Sequence, residues 1–296
     1  VPADIHVRRR GVYGPNEIRF GTVSGPGLYN YGQTTIAQLF VEDPDAFPDI
    51  SPSLQRVIQS VSDNEGKMEA INTYDNSFLS VGVFQWTAGA TTGAGEIAGL
   101  LAVVDSYSPG AFNEYFGSEG LGYELNAHGP NDLVYGYLSL NGNRLNNTDK
   151  KRVLREHIWA YRFWRASHDQ EVRRAEIRLA VSRVNTFYPK PVSARSRFTM
   201  ADYISSEYGV ALVLDEHVNR PGHVPGTLMQ GVRDFVASTG KRDPASWNSR
   251  DEAAVLRAYI DRRARTNMTD STRRADRVKA YVTAGALSAD RHSFVP

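Results

Sequence analysis

The apolar positions change period along the chain, and each change marks an element. Leu54, Val57, Ile58 and Val61 repeat at helical spacing behind Ser51-Pro52, which puts proline at the first helical position. Asn64-Glu65-Gly66 predicts the stop, with Glu65 where the helix gives way to glycine. The spacing then shortens through Met68, Ala70, Ile71, Thr73 and Tyr74 to a turn at Asp75-Asn76-Ser77. The β-prone run Phe78 to Phe84 follows, so a hairpin is predicted.

Before this stretch, residues 1–50 are rich in glycine and proline. Short β-prone runs at Ile5-His6-Val7, Ile18-Arg19-Phe20 and Leu28-Tyr29 predict a strand-and-loop extension without a helix, and Asp43-Pro44 to Pro52 reads as a linker. The expected division is therefore an N-terminal extension, 1–50, and a second domain, 51–296. Beyond Trp86 the small residues of Thr87 to Gly95 predict a loop. No Lys-Ser/Thr follows its last glycine, so it is not a phosphate cradle. Helices are predicted over Glu96 to Val104 and Ala111 to Phe116, and a loop with a hairpin over Gly120 to Asn147. A long apolar stripe runs from Asp149 to Phe187, and the arginines along it read mostly as a solvated face.

The next helix, Ala201 to Asn219, is apolar on every side at Val210 to Leu214, which predicts a buried central helix. Asp215 then falls in or near the core and needs a cation, for which Arg220 or an arginine between 173 and 183 is in reach. Leu228 to Ala237, Ser249 to Arg265 (capped by Ser249) and Ser271 to Ala284 complete a mainly helical chain without internal repeat.

Composition narrows the function classes. A chain of 296 residues that is 41% hydrophobic can bury one large core or two domains. A formal net charge of +1, with no like-charge block beyond Arg8-Arg9-Arg10, gives no basis for nucleic-acid binding. Absence of cysteine removes thiol nucleophiles and cysteine-metal sites. His128 has no partner at ligand spacing, so no metal or other cofactor is expected. No apolar run is long enough to insert in a membrane. Val1 in place of an initiator methionine suggests a processed or excised chain whose targeting segment is not shown, and the expected location is secreted or in the cell envelope.

The densest chemistry lies between Asp63 and Trp86. Cleaving a glycosidic bond takes one protonated carboxyl for the leaving oxygen and one ionised carboxylate for water or the sugar cation. Glu65, beside Met68 at the end of an apolar helix, is expected to have its pKa raised by desolvation, whereas Asp75 in a polar turn should stay charged. Asp63 and Glu69 are rival acids, both expected to be exposed. Cap and turn chemistry accounts for each carboxylate alone. The ordered set with Ser80, Gly82, Gln85 and Trp86 points to catalysis.

The segments N-E-G, N-T-Y-D-N and G-V-F-Q-W-T-A-G resemble the lysozyme superfamily, and most of all its bacterial and phage peptidoglycan hydrolases, with the chitosanase branch close by. The resemblance is dense over 63–90. It departs from the phage pattern at Ser80, where that pattern has threonine, and at Phe84-Gln85-Trp86. It implies a mainly α, lysozyme-like helical domain with a small β-hairpin at the active site. By the same resemblance Glu65 is the general acid, Asp75 the second carboxylate, Ser80 a water-positioning hydroxyl and Gln85 a cleft-floor residue. Trp86, Tyr74, Tyr135 and Tyr137 are expected to contact substrate, and Tyr29 and Tyr31 are read as core cover in preference to a sugar-binding surface. The expected activity is hydrolysis of β-1,4 bonds in an aminosugar polymer, peptidoglycan first. A lytic transglycosylase, a chitosanase and a non-catalytic wall-binding protein are the alternatives.

Overall fold

The computed structural model describes residues 4–126 and 134–296; His128 and Asp132 lie outside the described residues. The fold is mainly helical, with two small antiparallel sheets. Its contacts divide the chain elsewhere than at residue 50. One compact unit joins the N-terminal stretch through Ala46 to Glu65–Ala180, and the other joins Phe47–Asn64 to Val181–Pro296.

In the first unit a meander of seven strands runs in sequence order: β1 (His6–Arg8), β2 (Gly11–Tyr13), β3 (Arg19–Ser24), β4 (Gly27–Asn30), β5 (Ile71–Asn72), β6 (Ser80–Val81) and β7 (Trp86–Thr87). Strand β4 pairs with β5, so the N-terminal strands and the predicted hairpin share one sheet. A helix also interrupts the expected extension. Helix α1 (Ile36–Glu42) is capped by Thr35, whose side chain accepts from the Gln38 amide while Gln38 reaches back to the Thr35 amide. The expected linker likewise carries buried Phe47 and Ile50, which belong to the second unit.

Against the sheet stand α3 (Ile97–Tyr107) and α6 (His157–Ala166), which follows the short α5 (Thr148–Lys151), and α4 (Pro109–Tyr115) packs on both of these helices. Phe116 and Phe163 bring two of these segments together at 4.7 Å between ring centroids. A second sheet holds β8 (Leu121–Leu125), β9 (Gly136–Leu140) and β10 (Asn143–Arg144). The predicted continuous stripe breaks at Ser167–Asp169 before α7 (Gln170–Phe187). Its arginines are not all solvated: Arg173 and Arg183 are buried.

The second unit contains most of α2 (Pro52–Glu65), whose first turn is capped by the Ser51 hydroxyl accepting from the Leu54 amide. The predicted helix at 201–219 is two helices, α8 (Met200–Tyr203) and α9 (Glu207–Asn219). Then come α10 (Val224–Thr239), α11 (Ser249–Ala264) and α12 (Ser271–Thr283). The cap of α11 is Asn248, paired with Asp251, in place of Ser249. Glu252, three residues after Ser249, is no cap partner and is buried on the Ser205 and Ser206 amides and on Arg291.

Helix α9 is the buried centre of this unit, and Asp215 on it is fully buried. Its partners differ from those expected. Arg263 donates to Oδ2 at 2.6 Å, and Arg274 and Asn64 donate to Oδ1 at 2.7 and 3.0 Å, while Arg220 pairs with Glu216 one turn back. Guanidinium groups also cap the C-terminal end of α2, Arg274 on the Asn64 carbonyl and Arg277 on that of Asp63. The chain is thus fixed immediately before Glu65.

Candidate functional site

Register decides which side chains of β5–β7 share a face. Residues directly opposite in an antiparallel ladder point the same way, and their neighbours point the other way. Ile71, Val81 and Trp86 form one row, nearly inaccessible to solvent, and face the core. Tyr29, Asn72, Ser80 and Thr87 form the next row, on the opposite face. This polar row floors the candidate site.

The row corrects two expectations. Trp86 is 0% exposed, so its indole supports the sheet from beneath and is not available to stack on substrate. The predicted strand Phe78 to Phe84 pairs only at Ser80–Val81, because Phe78 takes a left-handed φ of 64° and the chain turns again from Gly82 to Gln85. Ser80 lies in the row, but it is 4% exposed between Asn72 and Thr87.

Asp75 is half-buried at the turn after β5, and its carboxylate is held from both sides. Asn72 Nδ2 donates to Oδ2 at 2.8 Å, and the Ser77 amide donates to Oδ1 at 2.8 Å. Arg155 donates to the Asp75 carbonyl at 2.7 Å and lies 4.8 Å over the Phe78 ring, which fixes the turn from the helical side. Asn72 therefore couples the turn carboxylate to the polar row. Tyr74, next to Asp75, is 42% exposed, and its amide donates to Asn72 Oδ1.

Glu65 is the last residue of α2 and is half-buried. The residue after it meets the β6–β7 turn closely: a Cβ on Gly66 would lie 3.1 Å from the Gly82 carbonyl and 3.2 Å from Gln85 Nε2. Gln85 sits at this junction with its amide donating to the Gly82 carbonyl, in a left-handed backbone that orients it locally. Tyr135 and Tyr137 stand apart from the row, on and beside β9 in the second sheet. The Tyr137 hydroxyl donates to the Thr92 carbonyl, and the ring lies near Arg144 and Lys151. Lys151 itself ties down the loop after β7 through the Gly89 and Gly93 carbonyls, and burial pushes its ammonium down to about 8.

The rival acids resolve differently from expectation. Asp63 is exposed, and its carboxylate receives the Tyr281 hydroxyl. Glu69 is buried, contrary to the reading that placed it in solvent. It accepts from the Gln33 and Thr34 amides and pairs with Arg173 at 2.7 Å. Burial raises its pKa, but the hydrogen bonds from Thr34 and Gln33 outweigh that and hold the carboxyl below its ordinary value. Glu69 is therefore a structural anion and no proton donor.

Glu176, on α7, is the buried acid that sequence reasoning missed, because a lone glutamate within a charged helical pattern carries no local signal. It is 2% exposed under the β6–β7 turn, and its Oε2 accepts from the Val83 amide at 3.2 Å. Gly82 has φ +75°, and a Cβ there would lie 2.5 Å from that oxygen, so only glycine lets the turn close over the carboxyl. Burial pushes Glu176 well above its ordinary value; the Val83 amide opposes this, nearby Glu69 adds to it and Arg173 opposes it.

A pKa raised in the folded state means that the unfolded chain releases this proton first. The Glu176 contribution is then complete below the unfolded value, about 4.3, and is lost as pH rises toward the folded value. Glu176→Gln, which keeps the acceptor and removes the titration, is expected to melt increasingly above wild type between pH 4 and pH 8. The gap should grow by roughly 2 °C or more, the shift that about 1 kcal/mol produces in a large domain. A constant gap across that range in calorimetry would show Glu176 ionised in the folded protein.

An open groove of about 750 Å³ adjoins the turn of Asp75, lined by Ile5, Pro26, Arg152, Arg155, Glu156 and His157 among others. Burial lowers the His157 pKa, so the positive charge comes from the two arginines. Arg152 has an exposed partner in Asp149 at 3.1 Å, a pair that water screens strongly, and Arg155 Nε has no acceptor among the described residues. Among the described residues no cluster of histidine or carboxylate side chains could hold a metal ion.

Compared with protein-family models, with curated proteins and with solved structures, the chain matches none of them.

Proposed function

We propose that the first unit carries a lysozyme-like glycosidase site that hydrolyses β-1,4 bonds of an aminosugar polymer, with peptidoglycan as the preferred substrate. The observation that carries the reading is the order in which the structure delivers its groups. A helix ends on Glu65, the next strand leads to Asp75 clamped by Asn72 and Ser77, and a polar row returns through Ser80. In this reading Glu65 gives its proton to the glycosidic oxygen as the C–O bond breaks. Asp75 takes a proton from the water whose oxygen bonds to the anomeric carbon, and exchange with solvent restores both carboxyls. Such an enzyme would act at the cell envelope or outside the cell.

The groove beside Asp75 favours peptidoglycan over chitosan. Of the charged groups that line it, Arg152 and Arg155 outnumber Glu156, which suits a strand bearing carboxylates better than a polycation. The burial of Ser80 favours a second reading, a lytic transglycosylase, in which the sugar's own hydroxyl replaces water and the turn carboxylate is dispensable.

Digestion of purified peptidoglycan and of chitosan, with the soluble ends identified by mass, tests both. Hydrolysis is expected to give reducing ends from peptidoglycan, and Asp75→Asn to lower that rate on the order of 10²-fold. Anhydro ends with an active Asp75→Asn variant would establish the transglycosylase. Intact polymer in every digest, under conditions where the protein binds it, would leave a wall-binding protein.

A further inference from the structure

We propose that Tyr29, Tyr31 and Tyr74 form a stacking platform for the pyranose rings of an aminosugar glycan strand, brought beside Asp75 by the N-terminal strands. The proposal rests on the glycosidase reading and extends it to a subsite.

Tyrosines on this segment are expected to cover a core, yet Tyr31 is 77% exposed and Tyr74 is 42% exposed. The rings are gathered, with Tyr29 and Tyr31 centroids 4.9 Å apart and Tyr29 and Tyr74 edge to face at 6.4 Å. Tyr29 stands opposite Asn72 in the row that contains Ser80, and Asn72 holds the Asp75 carboxylate. The cluster is therefore continuous with the candidate site and does not form a separate patch.

Its backbone is also fixed before any ligand arrives. Asn30 donates to the Phe20 carbonyl and accepts from the Gly32 amide, which pins the chain on both sides of Tyr31. Gly32, at φ +74°, comes so close to Ala70 that a Cβ would lie 2.9 Å from its amide nitrogen. Rigid aromatic rings lose little entropy on binding and offer an apolar face with a hydroxyl at its edge. A β-1,4-linked pyranose presents the complement, C–H faces bordered by equatorial hydroxyls. Among the described residues no charged side chain takes part in the ring contacts of the trio, which fits the sugar backbone of a strand whose carboxylates are met by the arginine groove.

The test is calorimetric titration of the full chain carrying Glu65→Gln with a β-1,4-linked N-acetylglucosamine tetrasaccharide. Tyr31→Ala and Tyr74→Ala are each expected to weaken binding about tenfold with unchanged melting, and Tyr31→Phe to bind as the parent does. Unchanged affinity in both alanine variants would overturn the platform, as would a parent that binds neither the tetrasaccharide nor peptidoglycan strands. Tyrosine-dependent binding by a protein whose wild type cleaves no polymer would retain the platform and remove the glycosidase reading.

Discussion

Replacing Glu65 by glutamine is expected to lower polymer cleavage on the order of 10²-fold or more, while the melting temperature stays near that of wild type. The amide fills the same space at the end of α2, where the following glycine already packs on the Gly82 carbonyl and Gln85. At the helix end Arg274 and Arg277 hold the carbonyls of Asn64 and Asp63, and the substitution leaves both carbonyls in place. In the proposed mechanism the substitution removes the proton for the leaving oxygen. Asp63→Asn serves as the control, because that carboxylate is exposed and engaged by Tyr281, and the variant should turn over at close to the wild-type rate. Activity above about a tenth of wild type in Glu65→Gln would place the acid elsewhere. Glu69 would not inherit the role, since it is committed to Arg173 and two amides.

The parts of this fold that sequence made legible are those specified by residues within one or two turns of each other. Ser51-Pro52 at the start and Glu65-Gly66 at the end frame α2 because cap, ring constraint and glycine all act locally. Helix α1 was equally legible in Thr35 and Gln38, and the glycine-rich surroundings hid it. What sequence could not supply is pairing at long range. Nothing in Leu28-Tyr29 indicates that β4 will pair with β5, so the N-terminal strands read as an extension when they continue the sheet. The same limit explains Glu69, which is buried because Arg173 on a distant helix meets it. Trp86 illustrates a third case. Alternation shows that neighbouring residues face opposite ways, but only the register against Val81 and Ile71 shows that the indole faces the core. Within the candidate site the order of carboxylates was therefore readable, and the face that carries each partner was not.

Asp215→Ala is expected to cost roughly 3–5 kcal/mol of stability, because it removes the buried carboxylate that Arg263 and Arg274 share and strands the fully buried Arg263 in the core of the second unit. Arg263 is completely buried and Arg274 nearly so. Arg263 retains the Leu212 and Ser271 carbonyls as acceptors, but carbonyl dipoles do not neutralise a charge at that depth. Asn64 would also lose one of the two acceptors of its amide and keep only the Arg274 carbonyl, so the last turn of α2 should loosen together with α12. Urea denaturation should show the midpoint falling sharply, with hydrogen exchange accelerated in α2 and α12 before the strands of the first unit respond. Arg274→Met is expected to cost less, because Arg263 still pairs with the carboxylate at 2.6 Å. Combined with Asp215→Ala it should cost less than the sum of the two single losses, since both substitutions break the same ion pair. A loss below about 1 kcal/mol for Asp215→Ala would mean that water reaches these arginines and that the buried triad does not hold the second unit together.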